Sequence, residues 1–88
     1  MQSINISPSQ KYYYPNNILE FEGNFIEDLE DGTHKYYYPN KNLKVSAYYL
    51  GGVKTKKWKY FDEEGNITSI VEFKNGEKYK IDGEKIKD

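Results

Sequence analysis

Apolar side chains alternate with polar ones along several stretches of the chain, at a spacing of two residues rather than three or four. Leu43, Val45, Ala47 and Tyr49 fall on one side of such a stretch, with Lys44, Ser46 and Tyr48 on the other. Ile67, Ser69, Val71 and Phe73 repeat the arrangement, as do Leu19, Phe21, Gly23 and Phe25, and Trp58 and Tyr60 alternate with Lys57, Lys59 and Phe61. Successive side chains of a strand point to opposite faces, so this period predicts β-strands with one apolar face. Pro15-Asn16-Asn17, Pro39-Asn40-Lys41-Asn42 and Glu63-Glu64-Gly65-Asn66 separate the strands. Pro presets φ and Asn or Gly tolerates positive φ, so each patch reverses the chain. Gly51-Gly52 and Asn75-Gly76 supply a second set of turns. No window favours a helix. Residues 27–31 read as a longer, charged connection. Residues 78–88 read as a short closing hairpin about Asp82-Gly83, and Ile4 and Ile6 are expected to add a strand at the other end.

The same pattern recurs in register. Lys-Tyr-Tyr-Tyr-Pro-Asn occurs at residues 11–16 and again at 35–40, an offset of 24 residues, and Lys59-Tyr60-Phe61-Asp62 follows at the next step. At that offset Tyr12, Tyr36 and Tyr60 coincide, as do Leu19, Leu43 and Ile67, and Phe25, Tyr49 and Phe73. Units that share a sequence share a local structure. The expected fold is all-β, an elongated antiparallel meander of consecutive β-hairpins. It forms one domain over residues 1–88, with units at about 9–32, 33–56 and 57–80.

A chain of 88 residues buries only roughly 60–65% of its unfolded surface. Aliphatic residues are few, so the ten Tyr, four Phe and single Trp must supply much of the apolar face. Tyr suits a thin sheet because its ring is buried while its hydroxyl stays wet. Tyr12, Tyr36 and Tyr60, repeated in register, are expected in the core. There is no Cys, which excludes disulfides, thiolate metal sites and a thiol nucleophile. No apolar run has the length of a membrane-spanning helix, and no basic-then-apolar leader opens the sequence, so a cytoplasmic location is expected.

The runs 35–52 and 56–76, with Tyr36-Tyr37 and Tyr60-Phe61 as aromatic pairs and Gly51-Gly52 and Asn75-Gly76 as closing turns, resemble the variant MORN repeat of bacterial proteins. Two departures stand out: Glu27-Asp28 occupies the place of a closing Asn-Gly, and Thr55-Lys56-Lys57 replaces a Gly expected shortly before Trp58. The resemblance implies a chain of hairpins. It also suggests a role, since bacterial members are often labelled YwqK-type antitoxins, immunity partners of secreted toxins. Classical eukaryotic arrays are associated with membranes and scaffolding.

Charge is unevenly placed along the chain. Residues 1–32 hold one Lys against six acids, residues 33–60 seven Lys and no acid, and residues 61–88 five Lys against eight acids. Two candidate contact patches follow: acidic Glu27, Asp28, Glu30 and Asp31, and basic Lys54, Lys56, Lys57 and Lys59. Solvated strand faces and loops are the plainer account of both. Tyr13, Tyr37 and Tyr48 should point away from the apolar face, where Tyr favours protein contact. Nucleic acid is disfavoured because the chain has no Arg. Lysines without a lipid anchor give only weak membrane attachment, and exposed sheet edges invite self-association.

Nothing in the sequence forms a nucleophile–base pair, a phosphate loop or a metal cluster. The lone His34 aligns with Trp58 and is expected to fill a ring position in the strand. No cofactor is expected and enzyme is the least favoured class. The sequence therefore points to a non-enzymatic protein-binding module, first an antitoxin- or immunity-like protein that blocks a toxin by stoichiometric occlusion. The alternatives are an adaptor or scaffold piece, a membrane-proximal one included, or a mobile-element inhibitor of a host protein.

Overall fold

The structure is a computed structural model and describes residues 9–85. Those residues form a single antiparallel sheet of nine strands: β1 (Gln10–Tyr13), β2 (Leu19–Ile26), β3 (Leu29–Tyr37), β4 (Leu43–Leu50), β5 (Val53–Lys54), β6 (Lys56–Phe61), β7 (Ile67–Lys74), β8 (Glu77–Ile81) and β9 (Glu84–Lys85). The strands lie side by side in sequence order, with β5 and β6 pairing to successive parts of β4. The result is a plate about one sheet thick, 44 × 38 × 13 Å. The expected strand at Ile4 and Ile6 and the last three residues of the expected closing hairpin lie outside the described residues.

The 24-residue period is written into the hydrogen bonds. At the first turn of each unit, Tyr14 N donates to Ile18 O, Tyr38 N to Asn42 O and Asp62 N to Asn66 O, at 2.8–2.9 Å. Asn17, Lys41 and Gly65 all take positive φ there (67°, 78° and 95°). Each of these turns is preceded by the same bulge, at Tyr12/Tyr13, Tyr36/Tyr37 and Tyr60/Phe61. Between units, the Tyr14 hydroxyl donates to Tyr37 O and the Tyr38 hydroxyl to Phe61 O, both at 2.7 Å. Asp62 stands where a third such Tyr would be. It caps its own turn instead, accepting from Asn66 N and Glu64 N, and these bonds hold its carboxyl below the ordinary range.

The second turns correct one expectation from the sequence. Residues 27–31 are not a longer connection: β2 ends at Ile26, β3 starts at Leu29, and Glu27 and Asp28 alone make the turn. Both have positive φ (51° and 64°), matching Gly51-Gly52 (56° and 83°) and Asn75-Gly76 (53° and 84°). Two successive left-handed residues define a type I′ turn, the geometry that matches strand twist. The strand twist and the pairing around the turn override the poor intrinsic preference of Glu for that conformation. Asp82-Gly83 repeats the geometry (53° and 85°) and closes the expected terminal hairpin.

One face of the plate carries a row of rings. Tyr12 stacks on Phe21, Phe21 meets His34 and Tyr36, His34 meets Phe25 and Tyr49, Tyr49 meets Trp58, and Trp58 meets Phe73, with centroids 4.9–5.5 Å apart. Each contact of this kind contributes about 0.5–1.5 kcal/mol beyond burial. Phe21, Ala47, Trp58, Val71 and Phe73 are buried, and Tyr36 and Tyr60 are half-buried. Tyr12, expected in the core, is 56% exposed. It sits on β1, which has a described neighbour on one side only. Burial raises the pKa of Tyr36, Tyr49 and Tyr60 above that of a free phenol, and the Glu30 carboxylate adds to the rise for Tyr36 and Tyr49.

Candidate functional site

The opposite face is polar, and strand register orders it. Cross-strand partners share a face, so Lys11, Glu22, Lys35, Ser46, Lys59 and Ile70 form one row across β1 to β7. Thr33 lies beside Tyr48, and Lys57, Glu72 and Lys80 make a second row. Where these rows meet, Thr33, Ser46, Tyr48, Lys56, Lys57, Lys59 and Glu72 line a shallow open groove.

The backbone at one end of this groove is unusual. A positive-φ residue precedes the buried ring in two strands: Gly32 (φ 80°) in β3, two residues before His34, and Lys56 (φ 61°) at the start of β6, two residues before Trp58. The structure thus resolves the missing glycine before Trp58, because Lys56 adopts the glycine conformation. For an L-residue that conformation costs about 1–2 kcal/mol. It aims the Lys56 side chain over the Tyr48 ring, with Nζ 4.3 Å from the centroid. A cation above an exposed ring recovers about 0.5–1 kcal/mol. Backbone strain of this kind concentrates at functional positions.

The other candidate residues are dispersed. Lys54 turns to the ring face, its Nζ 4.8 Å from the Trp58 centroid and 5.3 Å from that of Phe73. The basic patch read from the sequence therefore loses Lys54 and keeps Lys56, Lys57 and Lys59. The acidic patch does not form one surface. Glu27 and Asp28 occupy a turn, Glu30 pairs with Phe25 on the ring face, and Asp31 pairs with Asn24 and accepts from Gly51 N at 3.0 Å. Adjacent residues of a strand alternate faces, which separates Glu30 from Asp31.

The three tyrosines are also separated. Tyr13 is 55% exposed on β1. Tyr37 lies near the first turns, in a cleft with Asn16, Asn17, Ile18, Leu19 and Lys41, while Tyr48 is in the basic groove. The Tyr37 hydroxyl donates to Glu22 Oε2 at 2.7 Å. Burial first, and then this carboxylate, push its pKa up to about 12. Sequence reasoning missed Thr33, Ser46 and Glu72 as companions of the lysines. The signal was present, because all three alternate with ring-face residues, but their adjacency depends on register between strands.

His34 is 1% exposed. Its Nε2 lies 2.8 Å from Asn24 O, so that nitrogen carries the proton. Trp58 Nε1 makes the corresponding bond to Tyr48 O at 3.0 Å. The histidine is thus a ring of the row. Gly23 makes room for it, since a Cβ there would lie 2.6 Å from His34 Nδ1. Among the described residues, no group of three or more His, Cys, Asp or Glu is arranged to hold a metal ion.

The family described as MORN repeat variant matches the chain three times, at residues 9–27, 30–50 and 54–75. These matches cover more than half of the chain and each spans one hairpin of the meander. No curated protein and no solved structure matches.

Proposed function

The chain belongs to the MORN repeat variant family, and on that premise we propose that it is a non-catalytic, cytoplasmic protein-binding module. It acts by occlusion, as an antitoxin or immunity protein does when it covers the working surface of a toxin. The observation that carries this reading is the convergence of Lys56, Lys57 and Lys59 with Tyr48 in one groove on a broad, flat, hydrogen-bonded plate. Such a plate has little freedom left to lose on association, and binding is weakened by ordering of mobile groups. The lysines supply long-range attraction that speeds encounter with an acidic surface. The acidic patch read from the sequence contributes less, because its carboxylates face different ways.

Affinity capture from the source cells tests this, using the tagged chain and a Lys57→Glu/Lys59→Glu variant at low and moderate salt. The expected result is one dominant protein in stoichiometric amount, reduced by salt and lost with the variant. Recovery of anionic lipid or nucleic acid in place of a protein would overturn the reading.

A further inference from the structure

We infer that the groove receives an extended acidic segment of the partner, and that Lys56 is held in a glycine conformation in order to bind it. This deepens the protein-binding reading above and rests on it. At the corresponding place one repeat earlier stands Gly32, and a Cβ added there would meet nothing within 4 Å. Space therefore admits a side chain at this position, and backbone conformation alone favours Gly. The chain nevertheless carries Lys at φ 61° in the unit that forms the groove.

The groove's chemistry narrows the ligand. Lys57 and Lys59 alternate along β6 on the polar face, about 6.6–6.8 Å apart. The same spacing separates alternate side chains of any extended peptide, so carboxylates at every second residue meet them in step. The hydroxyls of Thr33 and Ser46 lie in the same groove and can donate to those carboxylates. Glu72, directly across from Lys57, places one negative charge at the border. A strand with a phosphate at every nucleotide meets that repulsion wherever it continues past Lys57. Base stacking is also opposed, because the Lys56 ammonium already covers the Tyr48 ring. An acidic peptide that ends or changes character at Glu72 has neither difficulty.

The experiment titrates the full chain into fluorescent (Glu-Ser)4, (Lys-Ser)4 and an eight-nucleotide thymidine strand. It is repeated with Lys56→Gly, Lys57→Ser/Lys59→Ser and Lys78→Ser. Lys78 is exposed on β8 and does not line the groove, so its substitution removes the same charge from elsewhere on the plate. The expected result is salt-sensitive binding of (Glu-Ser)4 alone. Lys56→Gly weakens it by about fivefold, the upper range for one exposed charge contact, with a melting temperature equal to or above that of the parent. The double variant weakens it further, and Lys78→Ser leaves it unchanged. Equal weakening by Lys78→Ser would overturn the inference, as would tighter binding of the oligonucleotide or no binding of (Glu-Ser)4. If (Glu-Ser)4 fails while the captured partner still depends on Lys57 and Lys59, the acidic-segment inference falls and the partner reading stands.

Discussion

The strand entering His34 and the strand entering Trp58 solve one geometric problem with different residues. Gly32 and Lys56 both take positive φ two positions before the ring. His34 Nε2 and Trp58 Nε1 both donate to a carbonyl of the neighbouring strand, Asn24 O on β2 and Tyr48 O on β4. Gly23 lies under the smaller ring, and Ala47 takes the corresponding place in the buried cluster with the larger one. Around His34 each of these choices is the conformationally easy one. Around Trp58 the larger ring is used while the positive-φ position carries a residue that opposes its own backbone. The repeat defines the geometry, and Lys56 is where the residue type departs from it.

The strongest way to break this comparison is at the rings. Trp58→Ala should cost about 3–5 kcal/mol, since a large buried ring leaves a cavity, and the loss is read from urea midpoints. His34→Ala should cost less, because a smaller ring is removed. Gly23→Ala should cost about 1–3 kcal/mol through overpacking against His34. Combining it with His34→Ala should return part of that loss, and additive costs would show that the two residues do not meet.

The positive-φ position gives a sharper contrast at smaller cost. Gly32→Ala should destabilise by about 1 kcal/mol, from the left-handed conformation alone. Lys56→Gly should be neutral or gain up to about 1 kcal/mol, because relief of strain offsets the loss of the Tyr48 contact. A clear loss in Lys56→Gly would place the lysine among the structural residues and remove it from the binding account.

Much of this architecture was legible in the sequence, and the period was the reason. Alternation predicted the faces of β2, β4 and β7, and the offset of 24 predicted that hairpins would follow one another. What failed was local chemistry overridden by context. Glu27-Asp28 carries no turn-forming glycine, yet the pairing of β2 with β3 forces it into the same turn as Gly51-Gly52. Tyr14 and Tyr38 were visible as repeats but not as ties between units, because their acceptors belong to the next strand pair. The basic patch was half legible: sequence proximity grouped Lys54 with Lys56, Lys57 and Lys59, but pairing with Tyr49 places Lys54 on the ring face while the left-handed backbone at Lys56 turns that side chain to the other.

Alkaline pH supplies the smallest effect. Below about pH 10, the ordinary phenol pKa, Tyr37 holds its proton in both folded and unfolded chains. Above that, the unfolded chain releases it first, because the folded pKa lies at about 12. The contribution of Tyr37 is therefore full below pH 10 and is lost as pH rises towards 12. Tyr37→Phe should cost about 0.5–1 kcal/mol at neutral pH and show a shallower alkaline decline in denaturant midpoints. Part of the decline should persist, since Tyr36, Tyr49 and Tyr60 are raised as well.

The central claim is that binding resides on the polar face, in the groove built around Lys56. Amide chemical shifts of the labelled chain during titration with (Glu-Ser)4 test it most directly. The account predicts that shifts move at Thr33, Ser46, Tyr48, Lys56 to Lys59 and Glu72, while Glu30, Lys54 and Lys78 stay still. Movement centred on those last residues, or spread evenly over all lysines, would contradict it.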